Sequence, residues 1–316
     1  MKKIYCLSKK NISLAKQEVI SLLQNDNYKI FENFLIAESK KSFLNRLAYT
    51  HSVYEFLFRS KLGNVNKSVK NFEWKKIIKN SYCIRTHNSN NKKKEKILAD
   101  IIWNKIENPV VNLNNPNSEI NFFFVKNNVL CGKLRGNTDK SYLSRKAHHR
   151  PGFHPTSLDP ALARAMINIT GKKRGALLDP FCGSGGILIE AGLMGFNITG
   201  FDIEKKMINL CKKNLDFYQI KNFNLSLHDS QNINKKFDCI VTDLPYGKNS
   251  KVENLTKTYL NFLKSAYNSA NIIVIGFPDF INYNKLIGKT KWKIKNKFSV
   301  YLHKSLSKVI YLLKRV

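Results

Sequence analysis

Apolar and polar positions alternate along this chain in two successive styles. Up to about residue 140, short strand-like runs are interleaved with amphipathic stretches. KIYCLS reads as a strand, SLAKQEVISLLQ (13–24) places apolar residues at helical spacing, and YKIFENFLIAE reads as one strand. NRLAYTHSVYEFLFRS predicts a short helix and another strand, completing a small α+β unit over 1–60. Within 61–140, SYCIRTHN (81–88) predicts a strand and EKILADIIWNKIEN (95–108) a helix. NPVVNLNNPN supplies turns, and EINFFFVKNNVLCGKL (119–134) predicts a hairpin with Asn127 and Asn128 at its tip. The polar, basic run RGNTDKSYLSRKAHHRPGFHPTS (135–157) then breaks the pattern and predicts a linker over 141–157.

From Leu158 the pattern becomes helix alternating with buried strand. ALARAMINIT, GGILIEAGLMG and EKKMINLCKKNLDFY predict helices. ALLDP, NITGFD, FNLSLHD, FDCIVTD and NIIVIGF predict strands, with helices between them, and two further strands near 290–302 and 307–314 close the chain. Such alternation predicts an α/β fold with a doubly wound parallel sheet, followed here by C-terminal antiparallel strands.

Charge changes the picture most. The 316 residues carry 54 Lys and Arg against 22 Asp and Glu, a formal net charge of +32. Heavy use of Lys, Asn and Ile accounts for many lysines but not for the scarcity of carboxylates. A field this positive favours a polyanion, because phosphate neutralisation with counterion release supplies most non-specific affinity for nucleic acid. No apolar run reaches the ~18–20 residues of a membrane helix. MKKIYCLSKKNIS lacks the continuous apolar stretch of a secretory signal. A cytoplasmic protein with no membrane partner is expected. Six scattered cysteines without a C-x-x-C pair predict reduced thiols and no metal. His148, His149 and His154 stand near Arg145 and Arg150 without an acidic or Cys cluster, which favours RNA contact or packing over a metal.

In a doubly wound sheet, ligands bind at the carboxyl ends of the strands. Asp179, Asp202 and Asp243 end three predicted strands, and Asp229 follows a fourth. One such acid can be a helix cap; four on one edge point to a ligand. The turn DPFCGSGG (179–186) has glycines at 183, 185 and 186 but not the G-x-G-x-x-G spacing of a dinucleotide site, because position 188 is Leu. Its amides suit a smaller, zwitterionic group. Asp202 is placed to accept from both ribose hydroxyls, and Asp229 from an exocyclic adenine amine. These acids would repel a nucleotide's anionic tail and tolerate a sulfonium, so S-adenosyl-L-methionine is the expected cofactor, with NAD the second reading. Cys182 and Cys239 read as small core residues, since no base is adjacent. In KTKWKIKNK (289–297) a strand would place Lys289, Lys291, Lys293, Lys295 and Lys297 on one face, as edge protection or as a phosphate-facing strip.

DPFCGSGGILIEAGLMG, FDIEKKMINLCKKNL and TDLPYG together resemble the Rossmann-like, S-adenosylmethionine-dependent methyltransferases that modify exocyclic amines. With RPGFHPTSLDPALARAMINI (150–169), the chain resembles the THUMP-domain tRNA guanosine N2-methyltransferases, closest to those acting at position 10. The match is specific over about residues 150–250 and elsewhere rests on the order of elements. The resemblance implies a ferredoxin-like domain at 1–60, a THUMP RNA-binding domain at 61–140 that holds the acceptor end of tRNA, and a Rossmann-like methyltransferase domain at 158–316. It implies that Asp179, Cys182, Gly183, Gly185, Asp202, Ile203, Asp229 and Ser230 hold the cofactor.

It also implies that Asp243, Leu244, Pro245 and Tyr246 form the catalytic (D/N)-P-P-(Y/F) loop. Asp243 would accept one N–H of guanine N2 and the Leu244 carbonyl the other, with Asp243 taking the proton late. Pro245 would stiffen the loop, and Tyr246 would stack on the extruded base. The second loop position, usually Pro in the family, is Leu244 here, a version also used by related enzymes acting at tRNA position 6. The implied partner is tRNA, together with a small activating protein that is not evident from the sequence. Two other classes stay open: a non-catalytic THUMP-type RNA-binding protein, and a methyltransferase of DNA adenine or protein glutamine. The basic charge disfavours glutamine, and the N-terminal α+β pair disfavours DNA.

Overall fold

Strand β1 (Lys2–Leu7) is buried along most of its length, and buried residues at Leu14, Ala15, Glu18, Val19 and Leu22 mark one face of helix α1 (Ile12–Leu23). The α1 N-terminus is capped by Asn11, whose side chain accepts from the Leu14 N–H at 3.0 Å. The chain continues through β2 (Tyr28–Phe31), β3 (Phe34–Glu38), β4 (Thr50–Lys61), α2 (Val65–Asn71), β5 (Ser81–His87), α3 (Lys92–Trp103), β6 (Val110–Val111), β7 (Ser118–Val125) and β8 (Asn128–Asn137). Then come α4 (Pro160–Ile169), β9 (Ala176–Asp179), α5 (Gly186–Leu193), β10 (Asn197–Asp202), α6 (Lys205–Phe217), β11 (Phe223–Leu227) and β12 (Cys239–Asp243). The last elements are α7 (Val252–Tyr267), β13 (Ile272–Pro278), α8 (Tyr283–Gly288), β14 (Lys293–His303) and β15 (Leu306–Lys314). This computed structural model describes residues 1–316 apart from 89–91, 156, 246–251, 279–282, 304–305 and 316.

Residues group into two compact units: Met1–Lys9, Asn25–Leu44 and Thr50–Thr138 form the first, and Lys10–Gln24, Asn45–Tyr49 and Asp139–Val316 the second. In the first unit one eight-stranded sheet, ordered β2-β3-β1-β4-β8-β7-β5-β6, runs through both 1–60 and 61–140. Side chains alternate across it: Phe122 joins Trp74, Tyr82 and Leu98 on one face, and Phe123 joins Ile4, Phe34 and Tyr54 on the other. Two local expectations fail. YKIFENFLIAE folds as a hairpin rather than one strand, turning at Glu32 in the left-handed region (φ 51°). Residues 45–49 make a turn rather than a short helix.

The second unit holds a seven-stranded sheet ordered β11-β10-β9-β12-β13-β15-β14. Its first five strands are parallel, and β15 pairs antiparallel with both β13 and β14. Leu177 packs with Leu162, Met166 and Ile187 on one face, and Leu178 with Phe262, Leu263 and Tyr311 on the other. The order in which strands are added reverses at β9, with β10 on one side and β12 on the other, which opens a crevice at their carboxyl ends. Helices do not separate every strand pair: residues 228–238, between β11 and β12, contain no helix.

Helix α1 belongs to this unit because its buried carboxylate is used there. Glu18 accepts from the Ala48 and Tyr49 N–H groups at 2.8 and 2.9 Å and from the Asn168 amide of α4 at 2.8 Å. The alternating-lysine strip does not form one face. Lys289 and Lys291 precede β14, and a register shift between Ile294 and Asn296 turns the strand, so Lys297 pairs with Tyr311 and lies over its ring at 5.5 Å.

Candidate active site

The loop joining β9 to α5 is shaped by main-chain hydrogen bonds. The Cys182 N–H donates to the Phe201 carbonyl at 2.9 Å, the Gly183 N–H to Asp202 Oδ2 at 2.9 Å, and the Gly185 N–H to the Cys182 carbonyl at 2.8 Å. Gly183 and Gly185 adopt φ of 51° and 87°, values that glycine takes without strain. A Cβ at Gly185 would lie 2.7 Å from the Cys211 sulfur, so the loop sits close on α6. A Cβ at Gly183 would meet nothing within 4 Å, so open space lies beside that residue.

Around that space stand the residues expected to hold a nucleoside. The second oxygen of Asp202 accepts from the Glu204 N–H at 3.0 Å, and the pinned carboxylate keeps further lone pairs for a ligand. Ile203 follows with its side chain 74% exposed, apolar surface beside Asp202. Asp229 is exposed two residues beyond β11 and accepts from the Gln231 main chain and side chain at 2.9 and 3.1 Å, while Ser230 is buried. Cys182 is buried in the same core cluster as Cys211, so its contribution to the loop is main-chain.

Asp179 ends β9 beneath this loop, fully enclosed, accepting from the Thr242 hydroxyl at 2.7 Å and the Phe181 N–H at 3.3 Å. Burial pushes its carboxyl up to about 7, against those two hydrogen bonds and with the Asp243 and Asp202 charges adding to the rise. Asp243, next along the edge, forms a buried ion pair with Lys308 of β15 through Oδ2. Its Oδ1 is buried with no hydrogen-bond partner among the described residues. Burial raises the Asp243 carboxyl above the usual range, and Lys308 pulls it back down.

Leu244 is buried, and its N–H donates to the Gly276 carbonyl at 3.0 Å. The Pro245 carbonyl accepts from the Tyr259 hydroxyl of α7 at 2.6 Å, which anchors the start of the loop. Tyr246 lies outside the described residues. The edge therefore brings Asp202, Asp179 and Asp243 together on adjacent strands, with Asp229 at the outer side. Among the described residues no His, Cys, Asp and Glu group could hold a metal.

Sequence reasoning missed Thr242, Tyr259, Gly276 and Lys308. One signal was present: Gly276 interrupts the apolar run NIIVIGF, and a glycine inside a strand often marks a close approach.

The FHPTS stretch is bound to the same loop. The Gly152 N–H donates to Asn214 at 2.7 Å, Asn214 donates to the Gly152 and Ser184 carbonyls at 3.0 and 2.8 Å, and the Ser157 and Ser184 hydroxyls lie 2.6 Å apart. Just upstream, Arg145 makes a bidentate pair with Glu190 of α5 at 2.7 and 2.8 Å, and Arg164 of α4 reaches the same carboxylate at 2.9 Å.

Residues 147–308 match the family described as RMKL-like, methyltransferase domain, and residues 7–213 match the DNA methylase family. The tRNA (guanine(10)-N2)-dimethyltransferase of Pyrococcus abyssi is 32% identical over 321 residues, covering 95% of each chain. The enzyme of the same name from Methanothermobacter thermautotrophicus is 29% identical and covers 100% of each. A tRNA (guanine(6)-N2)-methyltransferase of Methanocaldococcus jannaschii is 23% identical, covering 97% of this chain and 96% of its own. Among solved structures, TrmN from Thermus thermophilus aligns with a TM-score of 0.54 at 16% identity over 100% of both chains. A second solved chain, complexed with SAH, aligns at 0.51 and 14% identity over 99% of this chain and 98% of its own. At such identities the likeness speaks for the fold, a mixed-sheet Rossmann-like methyltransferase. With relatives aligned from end to end at this level, the chain belongs to the family of archaeal tRNA (guanine(10)-N2)-dimethyltransferases.

Proposed function

We propose that the protein methylates the exocyclic N2 of guanosine 10 in tRNA, using S-adenosyl-L-methionine, and adds a second methyl at the same nitrogen. The observation that carries this reading is Asp243: a buried carboxylate at the end of β12, one strand from the glycine loop and its acids, in a chain that aligns over its whole length with guanine-N2 enzymes. The DNA methylase model spans residues 7–213, but two type II methyltransferases align over only 74 residues, whereas the guanine-N2 enzymes align over the whole chain, which gives the DNA reading less support.

S-adenosyl-L-methionine supplies a methyl group on a cationic sulfonium. The Gly183 amide region, Asp202, Ile203 and Asp229 hold its nucleoside, and the buried Asp179 charge favours a cation above the loop. Guanine N2 is a poor nucleophile because its lone pair is delocalised into the ring. Asp243 Oδ1 accepts an N2 hydrogen, orients the nitrogen and takes the proton as the N–C bond forms. Tyr259 fixes the Pro245 carbonyl and Leu244 is tied to Gly276, so residues 243–245 are held in place for the substrate. Tyr246 is assigned the stacking role. After one methylation N2 keeps one hydrogen, enough for Oδ1 to accept again.

The charge of +32 suits tRNA. Residues 61–140 are assigned the THUMP role, with Lys93, Lys94 and Lys96 exposed on α3 as candidate phosphate contacts, and 1–60 the ferredoxin-like role. The free cysteines suit a reducing cytoplasm. A small activating protein is an optional partner in this scheme.

Purified protein incubated with labelled S-adenosyl-L-methionine and unmodified tRNA transcripts tests the reading. Digestion to nucleosides should give N2-methyl- and N2,N2-dimethylguanosine mapped to position 10, and Asp243→Ala should lose at least about 10²-fold in single-turnover rate. Label at position 6 would move the target. Undiminished transfer by Asp243→Ala would remove the role given to that carboxylate.

A further inference from the structure

We infer that Lys308 is a positioning residue for methyl transfer, holding Asp243 ionised and aimed so that Oδ1 alone receives the guanine N2 hydrogen. This deepens the reading of Asp243 above and rests on it.

In the sheet Asp243 of β12 pairs with Gly276 of β13, and on the far side of β13 Gly276 pairs with Ile310 and Pro278 with Lys308 of β15. Lys308 and Asp243 are thus two strands apart, yet the Lys308 ammonium reaches Asp243 Oδ2. The ion pair crosses β13 over Gly276. A Cβ at that position would lie 2.6 Å from Asp243 Oδ1 and 3.3 Å from an Ile310 methyl, so any side chain there would displace the carboxylate. The glycine and the lysine form one device, a gap in the middle strand and a cation that spans it.

That device answers two demands of the chemistry. A carboxylate sunk at this depth is driven to take up a proton, and in that form it cannot accept the N2 hydrogen. Among the described residues the groups facing Asp243 are Asp179 of β9, whose own carboxyl is raised in part by the Asp243 charge, Tyr259 of α7, which stays neutral because burial pushes its hydroxyl up to about 12, and Lys308, the cation that opposes protonation of Asp243. The second demand is aim. With Oδ2 occupied by Lys308, Oδ1 lies buried beside Gly276 without a hydrogen-bond partner among the described residues, and it is the oxygen assigned to substrate. During transfer the N–C bond forms as the sulfonium S–C bond breaks, the electron pair stays on sulfur, and the N2 proton passes to Oδ1. Lys308 keeps its own protons and touches neither substrate nor cofactor.

The test compares Lys308→Met, Lys308→Arg and Gly276→Ala with the wild type, as full chains, in single-turnover methylation of tRNA transcripts from pH 5.5 to 9. Cofactor affinity and melting are followed in parallel. Without the cation the acidic limb of the Lys308→Met rate profile should move up by about one pH unit or more. Its rate should fall about tenfold or more at neutral pH and recover towards the wild type at high pH, with cofactor affinity unchanged. Lys308→Arg should keep the wild-type limb. Gly276→Ala should slow transfer at every pH without moving the limb, because it displaces the carboxylate and leaves the charge.

A Lys308→Met limb that stays in place overturns the inference, whether or not the rate falls. So does a Gly276→Ala enzyme of wild-type rate, which decides the matter if Lys308→Met fails to fold. Failure of the underlying reading looks different: Asp243→Asn would then transfer methyl at the wild-type rate whatever stands at position 308.

Discussion

A single carboxylate, Asp179, should make cofactor affinity depend on pH if it lies beneath the cofactor as proposed. With its carboxyl pushed up to about 7, chiefly by burial, Asp179 exchanges its proton near neutrality in the ligand-free enzyme. Only the ionised form attracts a cation, so affinity for S-adenosyl-L-methionine should weaken as pH falls below about 7, by up to about tenfold per unit. The same shift fixes the sign for stability. A folded value above the unfolded one stabilises the protein below the unfolded value and loses that contribution as pH rises through about 7. The ligand-free protein should therefore melt lower at pH 8 than at pH 6 on account of this group, and Asp179→Asn should flatten both dependences. Calorimetric titrations and melts at pH 6, 7 and 8 would check this; a wild-type affinity independent of pH would show that Asp179 does not sense the cofactor. At this scale the four strand-end acids were legible because each follows an apolar run. Lys308 was not, since LSKVIYLL marks a buried strand without saying that its lysine will meet Asp243 across β13. That meeting depends on β15 inserting next to β13, a sheet order that spacing along the chain does not encode.

The elements that carry the glycine loop are pinned by buried charge as well as by apolar packing. Glu190 of α5 is fully buried between Arg145 and Arg164, themselves 11% and 6% exposed in their side chains. Both guanidiniums spend hydrogen bonds on this one carboxylate, and Arg164 also donates to the Asn45 carbonyl. Glu190→Ala leaves both cations buried without their anion and should destabilise the protein by about 3–5 kcal/mol. The measurement is the urea midpoint at constant m-value; a shift below ~1 kcal/mol would mean that water reaches the arginines. Helices and parallel strands beyond Leu158 were legible because helical and strand periods alternate cleanly there. The run YKIFENFLIAE was misread because its apolar residues continue through the Glu32 turn, and 45–49 because its contacts are made to α1 and α4, far away in sequence. The lysine strip failed for a different reason, a bulge in β14, which no two-residue alternation can announce.

At the scale of the whole molecule the chain does not divide where its composition changes. The stretch 141–157 looked like a linker because it is polar and basic, yet Arg145 and Arg150 are buried and Gly152 is bonded into the cofactor-loop region. Conversely, α1 comes from the first tenth of the sequence and completes the second unit. Leu14 is fully buried in its core, Asn11 donates to the Ser299 carbonyl of β14 at 2.8 Å, and Glu18 ties α4 to residues 48 and 49. A fragment of residues 139–316 would contain every residue assigned to catalysis and still lack these contacts. Loss of Leu14 alone corresponds to about 2–5 kcal/mol of buried apolar packing. Asn168 would also lose its Glu18 and Arg46 partners, an uncompensated buried amide. Against the 5–15 kcal/mol typical of whole-protein stability, the fragment should unfold at a much lower temperature than the full chain, or lack a cooperative transition. Adding S-adenosyl-L-methionine should recover only part of the difference. A fragment matching the full chain in melting midpoint and cofactor affinity would show that α1 is dispensable. The two parts could then be separated at residue 139, which the Glu18 network argues against.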